Sequence, residues 1–347
     1  MHSSISNSKK PASDQSENRN DGPRCLLPML LALMFAIPIE YVAYVNRDLA
    51  EPKQHFRPRD QVPFIKESLI EAKLNFIKQK TSNVDLIVIG DSSGLMGVDA
   101  RILSDETGHQ TYNLSTFAWH GVEGHRLLLE SFVENHGPPS IVVYYFAPIV
   151  MARVERLFKE EGHQSRLRQQ LSRERYLLPS MNFREIAQRW TVPERLAQSL
   201  VTGRRGRYPS HNEMLVSLAK SHGSMKETSR MEWRSAPILA GDISSYQLES
   251  LRRLVEMAHE HKFELFLICN PLPEIARTDR NREFMRHLES RFLEVSQDHS
   301  QVHVYRPFAR YYPNESCALL NHIHPDAIPR NTKEIAAWLS EEYELSP

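Results

Sequence analysis

Short runs of β-branched and apolar residues alternate along the chain with longer segments in which apolar residues recur at helical spacing. The runs have the length and composition of buried strands, and the segments between them are long enough for amphipathic helices. This order predicts a parallel, doubly wound α/β sheet with helices on both faces. The predicted strands are 84–89, 110–114, 140–146, 263–269 and 302–305. The predicted helices are 64–80, 98–106, 121–135, 245–260, 283–295 and 331–343.

The alternation stops between about residue 150 and residue 241, where Arg and Glu are frequent and helical patterns continue without a strand. We interpret this stretch as a mostly helical insertion over the sheet edge or over the cleft. Residues 64–347 then form one α/β domain that contains the insertion. Ligands of such sheets bind beyond the carboxyl ends of the strands, so the loops at those ends are expected to line one cleft.

The N-terminal part of the chain has a different pattern. Residues 1–24 are polar, lack apolar periodicity and are predicted to be disordered. Residues 25–45 are apolar apart from Glu40, and the length of this segment is close to the roughly 20 residues that cross a bilayer. It predicts a transmembrane helix, followed by a charged, Pro-containing linker over 46–63. A cleaved signal peptide is the alternative, although no A-x-A-like site follows the apolar stretch.

Basic residues are about equally frequent on the two sides of this predicted span, so the positive-inside rule gives little information on orientation. Short N-terminal anchors commonly deliver domains out of the cytoplasm. We therefore expect a single-pass membrane protein whose globular domain is periplasmic or otherwise extracytoplasmic.

Charge and cysteine content narrow the choice of partners. Lys plus Arg and Asp plus Glu number 43 each, so no overall field favours nucleic acid, which is not expected as a partner. The three cysteines are Cys25, Cys269 and Cys317, without CxxC spacing, which argues against a zinc ribbon or a disulfide framework. Free thiols are expected, with one bridge between Cys269 and Cys317 as the alternative. No cofactor is predicted.

Two short segments carry residues suited to nucleophilic catalysis. Gly90-Asp91-Ser92 follows the first predicted strand, and a serine nucleophile needs such a tight turn, nearby oxyanion donors and an imidazole. Asn321-His322-Ile323-His324-Pro325 precedes the last predicted helix. Asp91 is expected to stabilise the turn rather than to act chemically.

The alternation of His322 and His324 is also compatible with a metal site, but no carboxylate or thiolate partner is evident. His322 is therefore expected to be a surface or packing histidine, like His120 and His125.

Together these segments resemble the SGNH (GDSL-type) esterase and acyltransferase superfamily. That family has a Gly-Asp-Ser block at the turn after the first strand and an Asp-x-x-His-Pro-like block before the last helix. The resemblance implies a flavodoxin-like fold in which Ser92 is the nucleophile, His324 is its base and Asn321 occupies the position of the acid. Ser93 is the adjacent alternative nucleophile. Ser93 and Asn113 are also candidates for oxyanion or substrate binding, together with the backbone N–H of Ser92.

This sequence departs from the family pattern at three points. Asn321 replaces the acid, the segment at Phe146-Ala147-Pro148 lacks the family's oxyanion asparagine, and the glycine of the second block has no clear equivalent near Asn113. These departures are similar to those of divergent, single-span members related to alginate and teichoic-acid acyl transfer machinery.

The resemblance implies an enzyme that acts through a Ser-His dyad and removes or transfers an acyl group on a cell-envelope glycan or a lipid-linked carbohydrate. A membrane-bound acyl-transfer protein is then a candidate partner. The alternative is a catalytically inactive binding or assembly subunit of a complex that modifies an envelope polysaccharide.

Overall fold

The computed structural model describes residues 63–78, 83–152, 218–225, 235–237, 239 and 242–343. The predicted tail 1–24, the predicted transmembrane helix 25–45, nearly all of the linker 46–63 and most of the insertion lie outside these residues. Within the described ranges, no helix combines the length and apolar character that crossing a bilayer requires.

Helices and strands follow one another through the described residues largely as the hydrophobic pattern predicts. The helices are α1 Pro63–Lys78, α2 Ser92–Gly97, α3 Ala100–Thr107, α4 Gly121–His136, α5 Pro148–Met151, α6 Ser245–His261, α7 Asp279–Ser296 and α8 Ile328–Tyr343. The strands are β1 Leu86–Gly90, β2 Thr111–Asn113, β3 Ile141–Phe146, β4 Glu264–Cys269, β5 Leu272–Pro273, β6 Val302–Val304, β7 Tyr311–Tyr312, β8 Cys317–Leu319 and β9 His322–Ile323.

The central sheet has five strands in the order β2-β1-β3-β4-β6, and every neighbouring pair is parallel. This confirms the predicted α/β sheet with flanking helices. The order reverses between β1 and β3, and a crevice opens at such a reversal beyond the carboxyl ends of the strands. The segments that follow β1 and β3 therefore border the crevice in which sheets of this type commonly bind ligands.

Alternate residues of each central strand pack on opposite faces of the sheet, as the pleat requires. Ile87 and Ile89 of β1 belong to the larger apolar core, which also contains residues of α1, α4, α6 and α7. Leu86 and Val88 belong to the smaller core, to which α3 and α8 contribute. Full burial of each such side chain contributes roughly 1.5–3 kcal/mol, so both helical layers are held against the sheet largely by apolar contact.

Residues 218–225 cover the outer edge of β2. The N–H of Asn113 donates to the carbonyl of His222 at 2.9 Å. The buried Lys73 amine of α1 donates to the carbonyls of Asn113 and Gly223. Gly223 has a φ of +88°, and a Cβ atom there would lie 2.3 Å from the Asn113 carbonyl oxygen, so this close approach requires glycine. Burial lowers the pKa of Lys73 well below its ordinary value. These bonds fix Asn113 in place at the end of β2.

Two features near the cleft are not predicted by the periodicity. Residues 92–97 form the short helix α2 instead of an irregular turn. Residues 317–323 form the antiparallel hairpin β8–β9 before the last helix. Because β9 contains only two residues, its apolar pattern is too short to reveal a strand.

Candidate active site

The backbone of the turn after β1 lies very close to the backbone of β3. Gly90 has a φ of +148°, and a Cβ atom at this position would lie 1.8 Å from the carbonyl oxygen of Tyr145. Only glycine fits here, since any side chain would collide with the backbone of the neighbouring strand. The chain therefore leaves β1 sharply and enters α2 with Ser92 as its first helical residue.

Asp91 fixes this turn with both carboxylate oxygens. Its Oδ1 atom caps α2 by accepting a hydrogen bond from the Ser93 N–H at 2.8 Å, and it also accepts from the Ser93 hydroxyl. Its Oδ2 atom accepts from the N–H of Ala147, directly after β3, at 3.1 Å. Burial raises the pKa of Asp91, while the hydrogen bonds from Ser93 and Ala147 and the nearby His322 oppose that rise. The carboxylate thus joins the ends of the two strands that border the crevice.

The rest of α2 is held from several sides. The Asn113 amide nitrogen donates to the carbonyls of Gly94 at 2.9 Å and Val98 at 3.2 Å. The Asn331 amide nitrogen of α8 donates to the carbonyl of Gly97 at 2.8 Å. The N–H of Met225 donates to the carbonyl of Leu95 at 2.8 Å. Helix α2 is therefore a rigid support for Ser92.

His322 of β9 is the imidazole that reaches Ser92. Its Nε2 atom lies 2.8 Å from the Ser92 Oγ atom. Ser92 is 7% exposed and His322 is 5% exposed, so the pair lies just beneath the surface. Ile323, the next residue of β9, is buried and packs near Gly97 of α2, which places the hairpin against the helix. A neutral imidazole with Nε2 unprotonated would accept the hydroxyl proton in this geometry.

The sequence predicts that Ser92 pairs with His324, whereas the imidazole at hydrogen-bond distance from the Ser92 hydroxyl in the structure is that of His322. The Nδ1 atom of His324 accepts a hydrogen bond from the N–H of Asp326 at 3.3 Å and lies 3.1 Å from the Asp326 carboxylate. His324 therefore caps the turn that leads into α8. Both histidines precede the last helix, but the hairpin directs His322 to Ser92.

Asn321, placed by the resemblance at the position of the acid, lies partly buried in the turn between β8 and β9. No hydrogen bond connects its side chain to His322 or His324 within the part of the chain that the structure describes.

The two candidates for oxyanion or substrate binding are both engaged in structural hydrogen bonds. Ser93 is buried, and its N–H and hydroxyl are directed to Asp91. Asn113 is buried, and its amide nitrogen donates to carbonyls of the α2 segment while its Oδ1 atom accepts from the Ser115 N–H at 2.9 Å. Their side chains thus position α2 and the loop after β2, beside Ser92.

Two other histidines and two cysteines carry atoms that could bind a metal ion. His120 contacts the Thr116 hydroxyl at 3.0 Å, and His125 contacts the carbonyl of Phe117 at 3.4 Å. Cys269 and Cys317 are buried free thiols. Within the described ranges, His, Cys, Asp and Glu side chains form no group of three or more that could hold a metal ion.

Sequence reasoning did not pair His322 with Ser92, and it did not show how far the contacts of Asp91 extend. The signal for His322 was present, since two histidines alternate before the last helix, but the distance that selects one of them depends on the hairpin. Asp91 was recognised only as a turn residue, because the bond to the N–H of Ala147 joins parts of the chain 56 positions apart.

A hydroxyl on a rigid helix start and an imidazole at hydrogen-bond distance form the arrangement needed to activate an oxygen nucleophile. In comparisons with known proteins, no protein-family model matches this chain and no curated protein matches it either.

Proposed function

We propose that this chain is a serine esterase or O-acyltransferase of the SGNH type, with Ser92 as the nucleophile and His322 as the general base. The observation that carries the proposal is the 2.8 Å separation between the Ser92 Oγ atom and the His322 Nε2 atom. This separation lies within the roughly 2.6–3.2 Å that proton transfer requires. The parallel sheet order and the position of Ser92 after its first strand are consistent with the proposal.

In the proposed reaction, the Ser92 Oγ atom attacks the carbonyl carbon of an acyl ester while its proton moves to the His322 Nε2 atom. The oxyanion that forms would accept a hydrogen bond from the backbone N–H of Ser92, as the family resemblance implies. His322 then returns the proton to the leaving alcohol, the ester C–O bond breaks, and the acyl group stays on Ser92. Water or a sugar hydroxyl, deprotonated by His322, then attacks the carbonyl carbon of the acyl-serine. The bond from that carbon to the Ser92 Oγ atom breaks, His322 returns the proton to Oγ, and the free acid or the acylated sugar leaves.

The proposed substrate is an acylated cell-envelope glycan or lipid-linked carbohydrate. The apolar segment 25–45 supports an envelope location, because a membrane anchor would hold the domain near such substrates. A sugar hydroxyl as the acceptor gives acyl transfer, and water gives hydrolysis. A membrane-bound acyl-transfer protein would be the natural donor in the first case.

The test is labelling of the purified full-length chain with a fluorophosphonate, a probe that reacts with activated serines, together with turnover of a chromogenic acetate ester. Ser92→Ala should abolish labelling and lower turnover about 100-fold or more. The control is Ser340→Ala, which removes a hydroxyl of α8 that donates a hydrogen bond to the Ala336 carbonyl. This variant should retain both the labelling and the turnover. Equal labelling of wild type and Ser92→Ala would remove Ser92 from the mechanism.

A non-catalytic binding or assembly subunit is the second candidate. It is favoured by Asn113, whose amide donates to carbonyls of the α2 segment, and by the segment Phe146-Ala147-Pro148, which lacks the family's oxyanion asparagine. Absence of probe labelling in a wild-type chain that unfolds cooperatively would support this second candidate over the first.

A further inference from the structure

A cavity of about 650 Å³ lies at the outer edge of β2, and neither Ser92 nor His322 is among the residues that line it. Residues of α1, α3, β2 and the segment 218–222 form its walls. Its volume falls within the roughly 300–1,000 Å³ of typical small-molecule sites. We call it the edge cavity.

Apolar side chains form one part of the wall of the edge cavity. Phe76 of α1 and Tyr112 of β2 line it, and their rings stack with centroids 3.3 Å apart. Val84 and Leu218 extend this apolar surface. A ligand that presents carbon atoms on one face gains free energy when it removes such a surface from water.

Polar side chains form another part of the wall. Asn75 and Gln110 are exposed, and within the part of the chain that the structure describes their side-chain amides make no hydrogen bond. A carboxamide has two N–H donors and an acceptor oxygen. The hydroxyls of Ser104 and Thr111 donate to the carbonyl of His109 at 2.7 and 3.0 Å, so their oxygens can still accept. The polar part of the wall can therefore both donate to and accept from the hydroxyls of a ligand.

The wall of the edge cavity carries no formal charge. Asp, Glu, Lys and Arg make up 25% of the chain, yet none of the described residues that line the cavity is one of them. Lys73 of α1 is not a lining residue, and its amine donates to the carbonyls of Asn113 and Gly223. An anionic ligand would lose hydration here without gaining a cation in exchange, which is unfavourable. The cavity therefore suits an uncharged ligand.

A sugar ring meets both requirements, since its C–H faces are apolar and its hydroxyls donate and accept hydrogen bonds. We propose that the edge cavity binds a segment of an uncharged glycan, so that the envelope glycan on which the proposed activity acts is neutral rather than built from uronic acids or sugar phosphates. The link to acyl chemistry rests on the proposed function. A purely apolar ligand would use the rings of Phe76 and Tyr112 but not the carboxamides of Asn75 and Gln110.

The edge cavity adjoins the residues that hold the helix of Ser92. Tyr112 lines the cavity, and the amide of the next residue, Asn113, donates to the carbonyl of Gly94 in α2 at 2.9 Å. The N–H of Asn113 donates to the carbonyl of His222, a second lining residue. A glycan chain held in the cavity would keep its other segments near Ser92 and so raise their effective concentration there.

The first experiment measures binding to the full-length Ser92→Ala chain, so that no turnover occurs. The probes are cellotetraose, chitotetraose and mannotetraose, which are neutral, and tetramannuronate, an anionic oligosaccharide of the same length. Saturation-transfer NMR should show binding of at least one neutral probe, and binding of tetramannuronate that is weaker by about tenfold or more. Absence of binding by all three neutral probes, or equal binding of the anionic probe, would overturn the proposal.

A second substitution in the same chain tests the position of the site. Ala219 lines the edge cavity and is exposed, so Ala219→Trp fills the cavity without inserting a larger side chain into the core. Lys220→Trp is the matched control, because Lys220 is exposed in the same helical turn and does not line the cavity. We expect Ala219→Trp to weaken binding of the neutral probe about tenfold or more, and Lys220→Trp to leave it unchanged.

Unchanged binding in Ala219→Trp would place the probe at another site and refute the assignment. Should Ala219→Trp fail to fold, Asn75→Ala is the second variant. It removes one exposed carboxamide from the wall and should weaken binding roughly 3- to 10-fold.

Gln110→Lys tests the role of charge, because it adds a cation to the wall at an exposed position. The ratio of the affinities for tetramannuronate and for the neutral probe should rise about tenfold. A ratio that stays the same would show that the charge of the wall does not select the ligand.

Ester turnover of the wild-type chain is measured separately from binding. A chain that binds a neutral probe in the edge cavity but has no esterase activity would refute the proposed function and retain the glycan site. An active chain without such binding would refute the glycan site alone.

Discussion

The Nε2 atom of His322 and the Oγ atom of Ser92 are 2.8 Å apart, although the two residues are separated by 230 positions of the chain. Ser92 is fixed by the turn after β1, and His322 is fixed by the hairpin before α8. Hydrogen bonds from Asn113 and Asn331 hold α2, and Ile323 places the hairpin against α2, so both residues are positioned by the fold.

Substitution of the two histidines of the hairpin segment should separate their roles. His322→Ala removes the base and is expected to lower ester turnover about 100-fold or more and to suppress probe labelling. His324→Ala removes a turn cap, costs about 1 kcal/mol of stability and leaves turnover per folded molecule little changed. His261→Ala, at an exposed site in α6, is the control. The reverse result, with activity lost only in His324→Ala, would restore the assignment that the sequence motif favours.

Asn113→Ala distinguishes a structural amide from an oxyanion donor. Loss of an oxyanion donor typically lowers kcat about 100- to 1,000-fold. We expect instead a loss of about 2–4 kcal/mol in the free energy of unfolding, because the carbonyls of Gly94 and Val98 each lose one of their donors, with turnover per folded molecule lowered less than about tenfold. Denaturant unfolding and kinetics normalised to the folded fraction measure both effects. A stable variant with the large loss in kcat would assign Asn113 to the reaction.

His125 should make the stability of the fold depend on pH. Burial lowers its pKa to about 4, whereas an unfolded histidine has a pKa of about 6.5. The folded chain therefore resists protonation of this ring. The contribution of the neutral His125 ring to the free energy of unfolding is fully present above a pH of about 6.5. It is lost as the pH falls toward about 4, which is a change of about 3 kcal/mol.

Urea unfolding of the wild type and of His125→Gln at a series of pH values measures this contribution. The amide of glutamine does not titrate, so the difference between the two curves should shrink as the pH falls through this range. His261→Gln, at the exposed site in α6, should follow the wild-type curve. Parallel curves for wild type and His125→Gln would show that protonation of the buried ring is not linked to unfolding.

The order of strands and helices could be predicted from the sequence, because a buried strand of a parallel sheet requires a local apolar run. The run at 84–89 and the strand Leu86–Gly90 agree within two residues, and the runs that correspond to β3 and β4 agree within one. The hairpin could not be predicted, because β8 and β9 are too short to show the alternation of apolar and polar residues that indicates a strand. They form through contacts with the rest of the fold.

The position of Ser92 was determined by the sequence itself. Gly90, Asp91 and Ser92 are common turn residues that directly follow a buried apolar run, so the sequence alone places Ser92 in a tight turn after β1. The choice of histidine was decided only by the tertiary structure. His322 and His324 have the same residue type and lie two positions apart, and a hydrogen bond of about 3 Å tolerates no such displacement. The packing of the hairpin against α2 therefore selects between them.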